Sequence, residues 1–247
     1  MKKESLLHKI NLFVRSLIFS IIMIVTIIIY SFVCIFISPL PLRYRCAWIL
    51  TWTNFIIWLL KKLCYVDYNI QGLSNIPADR NGVVLSKHQS IWEAFILPNF
   101  FKQAAIIVKR ELLWIPFFGW GLATVNPIAI NRRDKASAME QIIIKGKKSL
   151  EEGRWIIIFP EGTRTTPGKE GHYRAGGARL AVAAGCPVIP VAHNAGRYWP
   201  KRGFIKNPGT VQMVIGPLIE TTNRTPEDVT KEVKNWIEDT LKKIDNE

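Results

Sequence analysis

A histidine five residues ahead of a carboxylate, in Ser86-Lys87-His88-Gln89-Ser90-Ile91-Trp92-Glu93, is the stretch of this chain best suited to proton transfer. An imidazole with an unperturbed pKa of about 6.5 can take a proton from a hydroxyl as that hydroxyl attacks a carbonyl. A carboxylate on its far ring nitrogen fixes the tautomer and stabilises the imidazolium. Positions five apart lie about 140° from each other on an ideal helix, so His88 and Glu93 can meet only if His88 precedes the helix. Ser90, placed to cap that helix, puts His88 in the loop just before it. The Ser90–Glu93 spacing also fits a capping box, in which Glu93 would serve only backbone N–H groups.

Three further segments combine polar chemistry with apolar surroundings. Lys109-Arg110-Glu111-Leu112 leads into Trp114-Ile115-Pro116-Phe117-Phe118-Gly119-Trp120, Phe159-Pro160-Glu161-Gly162-Thr163-Arg164 leaves the apolar run Trp155–Phe159, and Val188-Ile189-Pro190-Val191 follows. Arg164 can offer a planar, bidentate fork to a phosphate, and Lys109 and Arg110 add positive charge. Taken singly, each segment has a plain explanation: a solvated basic pair, a tight turn, a buried strand.

The elements that must position these residues are read from the hydrophobic pattern. Short β-like runs are expected at Tyr65–Ile70, Val83–Leu85, Ala104–Val108, Val125–Ile130, Trp155–Phe159, Val188–Ala192 and Val211–Ile215. Helices are expected at Ile91–Phe101, Lys135–Glu152 closed by Gly153, Ala175–Ala184 closed by Gly185, and Pro226–Ile244. The last has Thr225 as N-cap, Pro226 at N1, and Val229, Val233, Trp236, Ile237, Leu241 and Ile244 on one face. Strand–helix alternation of this kind argues an α/β fold with a mixed, mainly parallel sheet flanked by helices.

Ahead of that body, Ser16 to Leu42 carries no charge and Leu17–Ile37 is almost continuously apolar. Twenty-one helical residues span roughly 32 Å, close to the hydrocarbon core of a bilayer, and no signal-peptide cleavage site is apparent. A second uncharged stretch, Cys46–Leu60, holds Trp48, Trp52 and Trp58 between Arg43 and Arg45 on one side and Lys61 and Lys62 on the other. Interfacial Trp with basic flanks fits a helix lying in or dipping into one leaflet. Lys2, Lys3, Lys9 and Arg15 balance Arg43 and Arg45, so a single span and a re-entrant hairpin stay equally open. Residues 1–63 are expected to form a membrane-anchoring helix pair and residues 64–247 the α/β domain.

The composition agrees with a lipid interface. The 33 Lys+Arg against 19 Asp+Glu leave a formal charge of +14, which points to an anionic partner, while 49% hydrophobic residues and nine Trp are heavy for a soluble nucleic-acid binder. No nucleic-acid partner is expected. Cys34, Cys46, Cys64 and Cys186 show no metal-ligand spacing, so free thiols and no metal are expected.

In order and spacing, the four segments resemble the blocks of the 1-acylglycerol-3-phosphate acyltransferase family: His-x4-Asp, a basic block, Phe-Pro-Glu-Gly-Thr-Arg and a Val-Ile-Pro-Val-like strand. The resemblance covers Val83 to Val191, and the apolar N-terminal pair fits the family's bacterial members. It departs at Glu93, where the family usually has Asp; the longer side chain keeps the charge and the acceptors. The resemblance implies transfer of a fatty acyl group to lysophosphatidic acid, with His88 and Glu93 catalytic. Lys109, Arg110, Glu161, Gly162, Thr163 and Arg164 would then shape the acceptor's phosphate site. It implies no bound cofactor, acyl-CoA or acyl-acyl carrier protein as cosubstrate, and the bilayer and a lysophospholipid as partners. A bacterial member would sit on the inner membrane with its active site facing the cytoplasm. Rival readings are a related acyltransferase for glycerol-3-phosphate or another lysolipid, and a non-catalytic module binding anionic lipids; the second leaves the His88–Glu93 and Glu161–Arg164 segments unexplained.

Overall fold

A computed structural model describes residues 6–131 and 135–246, leaving Lys2 and Lys3 outside the described residues. Two long helices come first, α1 (Leu6–Ile37) and α2 (Leu42–Cys64), turned against each other at Pro39 and Pro41. Seven strands follow: β1 (Val66–Gln71), β2 (Val83–Ser86), β3 (Ala105–Lys109), β4 (Ile128–Ile130), β5 (Ile156–Ile158), β6 (Val188–His193) and β7 (Gly209–Ile215). They form one sheet in the order β1-β7-β6-β2-β5-β3-β4. Every neighbouring pair is parallel except β6–β7, so the sheet is mixed and mainly parallel.

Five further helices are α3 (Trp92–Ile96), α4 (Phe118–Thr124), α5 (Lys135–Glu151), α6 (Gly176–Ala184) and α7 (Pro226–Asn246). Alternation along the buried strands divides the core. Val84, Ile157, Ile189 and Val191 pack on the face shared with α2 and α3, whereas Val83, Leu85, Ile156, Ile158 and Val188 pack on the face shared with α6 and α7. The result is three layers with β2 at the centre of the sheet. β2, β5, β3 and β6 all run to the same edge; His88 and Glu161–Arg164 follow β2 and β5 there, and Lys109 and His193 are the last residues of β3 and β6. In open parallel sheets that carboxyl edge is where ligands bind.

The termini of the helices follow local rules. Gly185 takes a left-handed φ of 63° after α6, and its N–H closes on Ala181 and Val182. Thr225 Oγ1 accepts the Asp228 N–H at 3.2 Å at the start of α7.

Three expectations need correction. The helix expected over Ile91–Phe101 is α only to Ile96 and then a 3-10 turn, Leu97–Asn99, because Pro98 lacks the N–H that the helix needs. The strand expected from Val125 begins only at Ile128, since Val125 and Asn126 form a turn, with Asn126 at φ 48°. α4 was not expected at all. With Gly119 and Gly121 it is a poor helix by propensity, and it is held by tertiary contacts, including Ser31 Oγ donating to Phe117 O at 2.7 Å.

The Val125–Asn126 turn depends on buried Arg154, whose guanidinium donates to the carbonyls of Gln103 (3.0 Å), Asn126 (3.1 Å) and Val125 (2.9 Å). Arg154→Met would strand three carbonyls and is expected to cost roughly 2–4 kcal/mol. Chemical denaturation would check this; a change below about 0.5 kcal/mol would mean that water replaces the guanidinium.

The inner side of α1 mixes Leu12, Phe19 and Cys34 with two hydroxyls, and its outer side is apolar. The helix buries Ser16 and Ser31 and turns Ile21, Ile24, Val25, Ile29, Phe32 and Ile35 outward, each about half exposed. Its small polar residues bond to neighbouring elements: Lys206 N of the α/β body donates to Ser16 Oγ at 2.9 Å and Trp52 Nε1 of α2 to Thr26 Oγ1 at 3.1 Å. Hydroxyls inside and branched hydrocarbon outside suit a lipid-facing helix. Among the described residues α1 is the one helix long and apolar enough to cross a membrane.

Candidate active site

β2 ends at Ser86, and the chain passes through Lys87 and His88 before α3 begins at Trp92. His88 Nδ1 lies 2.8 Å from Glu93 Oε1, which also accepts the N–H groups of Gln89 (3.0 Å) and Ser90 (2.9 Å). The two readings of Glu93 therefore describe the same side chain: it caps the loop and binds the imidazole together. The serine half of the capping box differs from expectation, because Ser90 Oγ accepts the Trp92 N–H at 3.3 Å. His88 stacks on the Phe159 ring with centroids 4.1 Å apart and planes 14° from parallel. That stacking and the Glu93 bond fix the ring. Nδ1–H toward Glu93 leaves Nε2 free to accept a proton.

Glu93 is completely buried. Burial by itself would raise its pKa, but His193 and His88 beside it and the Ser90 N–H more than offset this, holding its carboxyl below the usual range. His193 is buried too, and desolvation lowers its pKa despite the nearby Glu93 charge. Its Nε2 lies 2.8 Å from Lys87 O and its Nδ1 accepts the Ala195 N–H at 3.3 Å.

A cavity of about 520 Å³ opens from His88 and is lined mainly by apolar groups. Its chemical end carries His88, Lys109, Gly162, Thr163, Arg164 and Lys201; its far end runs between α1, α2 and α4, past Ser31, Cys34, Cys46, Ile49 and Gly121. That volume is in the range of pockets that enclose a small-molecule ligand. Cations at one end and hydrocarbon at the other suit a ligand with an anionic head and an aliphatic tail.

Of the residues expected at the phosphate site, Lys109, Gly162, Thr163 and Arg164 share this cavity with His88. Arg110 is exposed and is not part of its lining. Glu161 is also elsewhere: it is 4% exposed and lies behind His88, where its Oε2 accepts the His88 N–H at 2.8 Å. A carboxylate facing a phosphate would repel it, so this placement is the electrostatically sensible one.

Lys201 has no local sequence signal. Its Nζ donates to Arg164 O at 2.6 Å and Thr163 Oγ1 at 3.1 Å, bracing the loop that presents Arg164 and adding a cation to the cavity. It lies in an irregular stretch between β6 and β7, far from the other segments in the chain, so only the fold brings it in.

A family model described as acyltransferase matches residues 67–194. The chain is 42% identical over 236 residues to a 1-acyl-sn-glycerol-3-phosphate acyltransferase of Pseudomonas aeruginosa, covering 94% of this chain and 91% of that one. It is 27% identical over 175 residues to the human 1-acyl-sn-glycerol-3-phosphate acyltransferase alpha, covering 69% and 61%. The crystal structure of the 1-acyl-sn-glycerophosphate (LPA) acyltransferase PlsC from Thermotoga maritima superposes with a TM-score of 0.81 at 26% identity, covering 97% of this chain and 98% of that one.

Proposed function

The chain belongs to the acyltransferase family, and on that premise we propose that it moves a fatty acyl group from a thioester to the free sn-2 hydroxyl of lysophosphatidic acid, giving phosphatidic acid. The observation that carries this reading is the His88–Glu93 pair opening onto a cavity that is cationic at one end and apolar at the other.

In the reaction, His88 Nε2 takes the hydroxyl proton as the oxygen attacks the thioester carbonyl. Glu93 stabilises the imidazolium that results. Collapse of the tetrahedral intermediate breaks the carbon–sulfur bond, and the thiolate leaves with the proton held by His88. Arg164, Lys109 and Lys201 hold the acceptor's phosphate so that its hydroxyl faces Nε2. Acyl-CoA and acyl-acyl carrier protein present the same thioester, and either serves as donor in this scheme.

The outward face of α1 associates the protein with the membrane. Ser16 and Ser31, about 22 Å apart along the helix axis, both bond to the body. A helix fastened along that length lies beside the body rather than crossing the bilayer away from it. This supports a re-entrant helix pair in one leaflet, with the site at the cytoplasmic surface where acyl thioesters are made.

The test is release of free thiol from oleoyl-CoA or oleoyl-acyl carrier protein by the full-length protein in mixed micelles. Release that requires lysophosphatidic acid, with phosphatidic acid as product, is the expected result. Thiol release independent of any acceptor, or none with either donor, would refute the reading.

The cavity's far end carries a prediction. A Cβ on Gly121 would meet Ser31 Oγ at 3.5 Å and Ile49 Cδ1 at 3.9 Å, which is ordinary contact, so the first carbon of a side chain fits there and a longer one takes up space in the cavity that Gly121 lines. Gly121→Leu is expected to shift preference toward shorter acyl chains, with the ratio of kcat/KM for a C10 to a C18 donor rising on the order of tenfold or more. Competition between the two donors would measure it, and an unchanged ratio would place the acyl chain elsewhere.

A further inference from the structure

Lys87 is fully buried, and neither the mechanism nor the cavity uses its side chain. A buried ammonium is costly unless charges and hydrogen bonds meet it. Here Nζ lies 2.7 Å from Glu161 Oε1 and 2.8 Å from Glu238 Oε1. Tyr173 Oη donates to the same Glu238 oxygen at 2.8 Å, and its ring lies 5.6 Å from Nζ. Glu238 comes from α7, Tyr173 from the loop before α6, and Glu161 from the segment after β5, so three distant parts of the chain converge on one ammonium.

What this network holds is the peptide that carries His88. Glu161 uses Oε1 for Lys87 and Oε2 for the His88 N–H at 2.8 Å. The His88 carbonyl is held from the same segment by Thr165 N at 2.7 Å, while Thr165 Oγ1 lies 3.1 Å from that carbonyl and from Glu161 Oε1. Lys87's own backbone is pinned by β6, its N–H donating to Val191 O at 2.9 Å and its carbonyl meeting His193 Nε2 at 2.8 Å.

We propose that Lys87 is a positioning residue for the reaction: its buried ammonium, clamped between Glu161 and Glu238, tethers α7 to the His88 peptide and sets the approach of the imidazole. It never touches substrate. Glu161 is the relay, since the oxygen that Lys87 orients belongs to the carboxylate that grips the His88 N–H. Without the ammonium, Glu161 is free to turn toward other donors, and the His88 loop loses the contact that fixes its height above Phe159. A shift of about 1 Å at a reacting group can cost on the order of 10²-fold in rate, which is enough for a residue behind the site to matter. This inference rests on the acyl-transfer reading of the same site.

Lys87→Met alone leaves two carboxylates facing each other in the core and endangers the fold. The informative variant is Lys87→Met with Glu238→Gln, which removes one charge of each sign and keeps the cluster's net charge and nearly its volume. The expected result is a fall in kcat of about 10- to 100-fold, with KM for donor and acceptor within twofold; the thermal midpoint falls as well, because the buried Glu161 carboxylate loses its cation. Should the double variant fail to fold, Glu238→Gln alone, which leaves Lys87 paired with Glu161, is expected to lower kcat several-fold on the same criteria. A kcat within twofold of the parent in a folded variant would reduce Lys87 to a structural tie, and a loss appearing in KM alone would assign it to binding; either overturns the proposal. The parent protein in the same assay separates the two levels. A parent without acceptor-dependent thiol release removes the acyl-transfer reading and this inference together, whereas an active parent beside an undiminished variant removes only the inference.

Discussion

Replacing His88 by alanine is expected to lower kcat by about 10²–10⁴-fold while leaving the protein folded. The geometry makes these two effects separable. The backbone of His88 is held by Glu161 and Thr165, and these bonds survive loss of the side chain. Glu93 keeps the Gln89 and Ser90 N–H groups as donors, so its charge stays buried but served. The lost bond and the lost stacking on Phe159 should cost no more than about 1–2 kcal/mol. Single-turnover acyl transfer and a thermal midpoint, measured on the same preparation, would check both parts. Turnover within tenfold of the parent would mean that another group takes the hydroxyl proton.

Glu93→Gln should be at least as damaging to turnover as His88→Ala and should destabilise by a comparable or larger amount. Every donor around Glu93 points at a carboxylate oxygen. An amide has one oxygen and one NH₂, so some donor must face another donor, at a cost of roughly 1–3 kcal/mol. The neutral amide also cannot stabilise an imidazolium, and a loss of about 10³–10⁴ in kcat is expected by analogy with serine hydrolases. Glu93→Asp restores the charge with one methylene fewer and is expected to fall between. The pH dependence of stability supplies an independent check. The carboxyl of Glu93 is depressed, so its contribution is full above the unfolded value of about 4.3 and is lost as pH falls through the lower folded value. His193, also depressed, adds a contribution that is full above about 6.5 and is likewise lost on acidification. Thermal midpoints from pH 7 to 3 should therefore decline for the parent. The part of that decline below about pH 4.5 should be flatter in Glu93→Gln, and an unchanged slope would contradict an ionised Glu93.

What was legible in the chain, and what was not, follows from the range of each signal. The central strands were legible as short apolar runs and β1 by its alternation of Val66, Tyr68 and Ile70 with polar residues, and α6 and α7 because their ends carry Gly185 and Thr225–Pro226. The His88–Glu93 contact was legible because it is local: five residues, one loop and one helix start decide it. α4 was not, since a seven-residue helix with two glycines exists only where α1 presents a surface to hold it. Glu161 belonged by sequence to the block that ends in Arg164, yet adjacent side chains of that turn face opposite ways, one toward the ligand and one toward the histidine's backbone. Lys201 and Glu238 were beyond reach for a simpler reason. A lone lysine in a loop and a lone glutamate on an amphipathic helix look like solvated charges until the sheet order brings them to β2.

The N-terminal helix pair is not a handle that can be cut off. Trp52, Ile56 and Leu60 of α2 are buried in the core that backs β2, and α1 and α2 together wall the apolar end of the cavity. Deleting them would leave a sheet with one face bare and a substrate pocket with one side missing. A water-soluble form of the enzyme would instead have to keep both helices and repaint the whole outer surface of α1, from Leu6 and Leu7 through Ile21, Ile24, Ile29 and Phe32 to Phe36, with polar helix formers. Ser16, Thr26 and Ser31 on the inner side would stay as they are. For this fold, solubility is a matter of the side chains along the outer surface of one helix, not of where the chain is made to start.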